Sequence, residues 1–161
     1  MVSAFLHVQI CTYGREGLAR VVCHRHPHIE GVRWLVSVQT GGESVEIPAE
    51  ISSRDDFDVV LWNDKGLSRN RNNAMRFECD SPFVLIADDD VDYNEDGLSR
   101  LMTEMKNNPE TEIFFSRYRN NGQYVKPYGN GEPYGIARPP RGWFPSSVEV
   151  SFLPSFSCDI P

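Results

Sequence analysis

At 161 residues the chain is long enough for one domain with a sizeable core. Its 40% hydrophobic and 24% charged content is that of an ordinary soluble chain. No apolar run reaches the roughly 20 residues of a transmembrane helix, and a net charge of −7 argues against a nucleic-acid-binding surface, which would be basic.

Met1 to Ile10 is apolar but short and has no basic flank, so no secretory leader is expected. The four cysteines, Cys11, Cys23, Cys79 and Cys158, are widely spaced. They read as reduced thiols of a cytoplasmic protein.

Phe5 to Cys11 is rich in aliphatics and predicts a first strand, broken by a loop at Thr12-Tyr13-Gly14-Arg15. Glu16 to Arg25 can be helical, with Leu18, Val21 and Val22 on one face. Val32 to Val38 predicts a second strand, followed by a loop signal at Gly41-Gly42. Phe57 to Trp62 predicts a third. Gly66 to Cys79 predicts a helix, with Ser68 as its N-cap.

Phe83 to Ala87 is a short apolar run behind Pro82. It predicts a strand buried on both faces, as inside a parallel sheet. Asn94 to Lys106 is the clearest helix, because Leu98, Leu101, Met102 and Met105 fall at i, i+3, i+4 and i+7. Glu112 to Tyr118 and Val148 to Leu153 predict two more strands. Between them, 120–145 is a Pro-, Gly- and aromatic-rich stretch that predicts a long binding loop. This order predicts a single α/β domain over 1–161, its sheet covered by helices on both faces.

The Phe83 strand ends in three consecutive carboxylates, Asp88-Asp89-Asp90. Ligands of open α/β sheets gather at the carboxyl ends of the strands. Adjacent carboxylates repel one another, and a bound divalent cation removes that repulsion. Hard cations such as Mg2+ and Mn2+ are held by one or two carboxylates plus substrate phosphates. The Thr12 loop, the Gln39-Thr40-Gly41-Gly42 loop and the helix start at Lys65 to Asn72 are expected at the same edge. A helix N-terminus attracts anions, and Arg69 and Arg71 there make a diphosphate pocket plausible. For any single arginine, a solvated surface position is the ordinary alternative.

Two other metal readings exist. Asp92 to Gly97 resembles the start of a calcium loop, but Thr103 stands where its last acidic ligand belongs and a strand precedes it where a helix is needed. Cys23-His24-Arg25-His26-Pro27-His28 suggests zinc but lacks a second ligand cluster, and reads better as a polar helix end.

Thr12-Tyr13-Gly14-Arg15, Gly66-Leu67-Ser68-Arg69-Asn70-Arg71-Asn72 and Asp88-Asp89-Asp90 together resemble the family-2-type glycosyltransferases of the GT-A fold. The resemblance implies a GT-A-like, Rossmann-like sheet that is mostly parallel. It also implies a nucleotide-diphosphate sugar donor, Mn2+ or Mg2+, and a saccharide or lipid-linked acceptor. Under it, Thr12, Tyr13, Arg15, Gln39, Ser68, Arg69, Arg71, Asp88 and Asp89 bind substrate. Asp88 faces the ribose, and Asp88 and Asp90 hold the metal. Two positions depart from the family pattern. Gln39 replaces an expected acid at the end of the second strand, and neither Glu149 nor Asp159 sits in a recognisable general-base motif. A non-catalytic nucleotide-sugar binder would share the first set of features.

Overall fold

A computed structural model describes residues 4–77 and 80–111, and beyond them the backbone of four short strands. The described residues divide between two compact units, one ending at Val91 and one beginning at Asp92.

The first unit is a four-stranded parallel sheet. Its strands are β1 (Leu6–Tyr13), β2 (Val32–Gln39), β3 (Phe57–Trp62) and β4 (Phe83–Ala87), in the order β3-β2-β1-β4. The connections run through α1 (Gly14–Cys23), the single turn α2 (Ala49–Ser52) and α3 (Leu67–Met75). The chain goes outward from β1 to β3 and then returns to the other side of β1. The order therefore reverses between β1 and β4, and a crevice opens at the carboxyl ends of those two strands. The expected Rossmann-like parallel sheet is what the backbone forms.

Alternation along the strands sorts the two faces. On one face lie Leu6, Val8 and Ile10 of β1 beside Val32, Trp34, Val36 and Val38 of β2, all deeply buried. Each such aliphatic side chain stabilises the fold by about 1.5–3 kcal/mol relative to exposure. Trp34 stacks on Phe57 at 5.9 Å, and His26 meets Trp34 edge-on at 4.9 Å. Helix α1 covers this face near Thr12, where Gly17 comes against the Thr12 side chain. The other face carries Cys11 and Leu35, which cluster with Ala74 of α3. Helices thus flank both faces.

Several boundaries depart from the sequence reading. β1 runs through Thr12 and Tyr13 and passes straight into α1, so Thr12 to Arg15 is no loop. Gly14, at φ +62, makes that passage possible without strain on a Cβ. Helix α3 starts at Leu67, its N-cap is Gly66, and Ser68 lies exposed within its first turn rather than capping it. The helix also ends at Met75, before the expected Cys79. The short α2 was not expected.

Strand β4 is not buried on both faces: among the described residues it pairs only with β1, and Ile86 is 55% exposed. An apolar run of five residues reads the same at the edge of a sheet as at its centre.

The second unit contains α4 (Glu95–Asn107), close to the expected span. Asn94 caps it, its Oδ1 accepting from Gly97 N at 2.6 Å. Glu95 and Asp96 in the first turn and Lys106 in the last complement the helix dipole. Leu98, Leu101, Met102 and Met105 are buried, as their spacing requires. Strands β5 (Phe115–Arg117) and β8 (Glu149–Ser151) pair in parallel, and β6 (Arg119–Asn120) with β7 (Gln123–Tyr124) antiparallel. β5 and β8 fall inside the two expected strands. The stretch expected as a loop over 120–145 begins within the β6–β7 hairpin, and its remainder lies outside the described residues.

Candidate functional site

A cavity of about 460 Å³ opens at the carboxyl edge of the sheet. Its walls come from the ends of β1 and β4, where the strand order reverses, and from Gln39 at the end of β2 and the start of α3. Asp88, Asp89 and Asp90 all line it. The three do not behave alike.

Asp89 is turned inward, with its side chain 14% exposed. Arg20 of α1 holds both of its oxygens, Nε donating to Oδ1 at 3.1 Å and Nη2 to Oδ2 at 2.8 Å. Thr12 Oγ1 donates to the same Oδ2 at 2.5 Å. The hydrogen bond to Asp89 also raises the pKa of Arg20 above its ordinary value. Asp88 is 63% exposed and takes one hydrogen bond from Arg71 Nη2 at 2.9 Å. Asp90 is exposed. The outer two carboxylates of the triplet are exposed at the cavity, and the middle one is internally satisfied.

The side wall is a network of buried amides. Asn70 donates to the carbonyl oxygens of Thr12 and Ser37, each at 2.9 Å. It accepts from Ser37 Oγ at 2.6 Å, and that hydroxyl accepts from Trp62 Nε1 at 3.0 Å. Gln39 Nε2 donates to Asp64 Oδ1 at 2.6 Å, and Asn73 Nδ2 donates to Asp64 Oδ2 at 3.1 Å. Tyr13 stands at the rim with Lys65 Nζ 5.2 Å from its ring centre. Gly41 backs the same ring: a Cβ there would lie 2.5 Å from the Tyr13 hydroxyl. Cys11 lies at the floor, and burial pushes its thiol up to about 11.

Of the residues singled out from sequence, Thr12, Tyr13, Gln39, Asp88, Asp89 and Asp90 line the cavity. Arg15, Ser68, Arg69 and Arg71 do not. Arg15 donates to the Ser44 carbonyl at 3.2 Å instead, and Ser68 and Arg69 are exposed elsewhere on α3. The phase of the helix is the reason. The residues that line the cavity are Gly66, Leu67 and Asn70, with Asn70 four and three positions after the other two. Lys65 and Arg20 are the cations that line it, and sequence reasoning passed over Arg20 and Asp64. Nothing in the pattern of α1 marks Arg20, which neighbours the buried Val21 on an amphipathic helix.

The two alternative metal readings meet obstacles. Asn94 would supply an oxygen to the calcium loop, but its carbonyl is engaged on the N-terminus of α4. The histidines after Cys23 diverge: His24 Nδ1 lies 2.8 Å from the Arg20 carbonyl, His26 packs on Trp34, and His28 pairs with Asp56 at 3.1 Å. His28, Asp55 and Asp56 do converge, within 4.8 Å, at the amino end of the sheet. Arg54 already engages both oxygens of Asp56, at 2.9 and 2.7 Å. Burial pushes the Asp56 pKa up, but the Arg54 and His28 contacts outweigh it and hold the group below the usual range. Asp56 is thus already paired, while His28 and Asp55 are exposed. No described helix is long and apolar enough to cross a membrane, and Cys11 and Cys23 hold no disulfide.

No curated protein matches the chain. The family described as glycosyl transferase family 2 matches it over residues 42–151. The matched stretch contains both the Gly66 helix start and the Asp88 triplet, and it begins after Thr12 and Gln39. Covering more than half of the residues, that match identifies the chain as a member of glycosyl transferase family 2.

Proposed function

We propose that the chain transfers a sugar from a nucleotide-diphosphate sugar to a hydroxyl of a saccharide or lipid-linked acceptor, in the cytoplasm and with Mn2+ or Mg2+. The observation that carries this reading is the cavity at the sheet's reversal point, where two exposed carboxylates flank a third that is internally held. Asp88 and Asp90 offer hard oxygen donors and would hold the cation. Two carboxylates leave coordination positions for diphosphate oxygens, which suits Mg2+ or Mn2+ better than a closed protein cage. A bound cation would stabilise the charge that develops on the departing nucleoside diphosphate.

The chain's own residues supply the rest. Lys65 places positive charge at the wall where the diphosphate would lie. Gln39 and Tyr13 present a polar and an aromatic surface to the nucleoside. Arg71 steadies Asp88, beside the ribose in this reading. A carboxylate base would deprotonate the acceptor hydroxyl. Of the candidates, Glu149 lies on β8 and Asp159 outside the described residues, and the role is assigned to neither.

Titration calorimetry with Mn2+ and a panel of nucleoside diphosphates tests the site. Asp90→Asn is expected to abolish the metal-dependent part of binding. Unchanged affinity in that variant would show that the cation is held elsewhere. Release of nucleoside diphosphate from sugar nucleotides then separates a transferase from a binder.

A further inference from the structure

We propose that Arg20 is a positioning residue for the cation site: by clamping Asp89 it sets the turn that presents Asp88 and Asp90 to the cavity. The proposal rests on the metal reading above.

Four observations converge on this clamp. Arg20 grips both oxygens of Asp89, in the two-point geometry that fixes orientation as well as distance. Thr12 adds a third hydrogen bond, from the end of β1. Asp89 is the middle residue of the triplet, in the turn that follows β4, and it is the one member held inward. Asp88 and Asp90, on either side of the clamped residue, are the exposed members of the triplet. Finally, Gly17 leaves the space the clamp needs. A Cβ at that position would overlap Thr12 Oγ1 and would stand 3.4 Å from Asp89 Oδ2. Three segments distant in sequence, β1, α1 and the tip of β4, are thus locked at one carboxylate.

The clamp also settles a charge problem. Three adjacent carboxylates would repel one another. The guanidinium neutralises the middle one inside the protein, so the remaining pair can take a dication without a third negative charge competing for it. Arg20 acts through Asp89; the proposal gives it no contact with substrate.

The test compares Arg20→Ala, Arg20→Lys and Gly17→Ala with wild type and Asp90→Asn. Nucleoside diphosphate binding is measured by calorimetry with and without Mn2+, and folding by thermal unfolding. The ratio of the two affinities is the decisive readout, because a merely structural role would lower the melting temperature and leave the ratio alone. Groups that orient metal ligands typically change metal affinity by about 10–100-fold when removed, and a loss of that order in the ratio is expected for Arg20→Ala. Arg20→Lys keeps the charge but not the two-point grip, so a smaller loss in the same direction is expected. It also serves as the working variant if alanine prevents folding. Gly17→Ala should reproduce the loss by pushing Thr12 off Asp89. A wild-type ratio in folded Arg20 variants, beside an Asp90→Asn variant that has lost the Mn2+-dependent part of binding, overturns the clamp and leaves the cation site standing. A wild-type ratio in Asp90→Asn overturns both.

Discussion

Replacing Asn70 by alanine probes the wall of the site through its most connected side chain. Asn70 is buried and makes three hydrogen bonds, two to backbone carbonyls at the ends of β1 and β2 and one from Ser37. Each neutral hydrogen bond contributes about 1 kcal/mol net, so their loss removes roughly 3 kcal/mol. Alanine recovers about 0.6 kcal/mol through its better helix propensity. The expected net destabilisation is about 2–3 kcal/mol, which for a chain of this size lowers the melting temperature by roughly 5–10 °C. Asn70→Asp should be worse than alanine, because it sets a carboxylate against the two carbonyl oxygens that the amide N–H groups now satisfy. Urea unfolding followed by fluorescence measures both variants, and Trp62, hydrogen-bonded to Ser37, is well placed to report the change. An alanine variant within about 0.5 kcal/mol of wild type, the range of an unremarkable surface substitution, would refute the role of Asn70 as the tie between α3 and the sheet.

Two further predictions concern ionisation. His7 is buried with neither ring nitrogen hydrogen-bonded. Burial lowers its pKa first, Asp58 nearby raises it, and Arg33 lowers it again. The folded state thus holds it neutral to lower pH than the unfolded chain, which takes up a proton below about pH 6.5. Stability should therefore fall as pH drops from 7 to 5, and His7→Phe should remove part of that slope; identical slopes in urea unfolding would contradict it. Cys11, with its thiol raised to about 11 by burial, should resist alkylation at pH 8 while the exposed Cys23 reacts. Peptide mass spectrometry after iodoacetamide reads the two sites separately, and equal labelling of the native protein would count against the buried assignment.

Much of the frame was legible in the residues. Apolar runs in β1 to β3 and the 3.6-residue period of α4 reflect burial, and burial leaves its mark in sequence. The carboxylates at the tip of β4 were also visible, because polar residues ending an apolar run are conspicuous. What was not visible depends on contacts between distant segments. Arg20 looks like any arginine on an amphipathic helix until β4 brings Asp89 beside it. Arg69 and Arg71 stand out in the sequence because they fall in the first turn of the helix expected from Gly66. In the fold Asn70 is the residue that reaches the ends of β1 and β2, while Arg71 meets the site only through Asp88 and Arg69 is exposed. The outer position of β4 among the described strands is hidden for a different reason. Strand order is a property of the whole sheet, and five apolar residues carry no information about their neighbours.

The hydrogen bond between Gln39 and Asp64 gives the cavity wall a polarity. A carboxylate can only accept, so the amide must turn its nitrogen toward Asp64 and its carbonyl the other way. One of the two Gln39 N–H groups is thus committed, and the orientation of the amide is fixed, which favours a ring that offers N–H to its carbonyl oxygen. An aspartate outside the cavity's lining would thereby decide which edge of a nucleobase the wall welcomes.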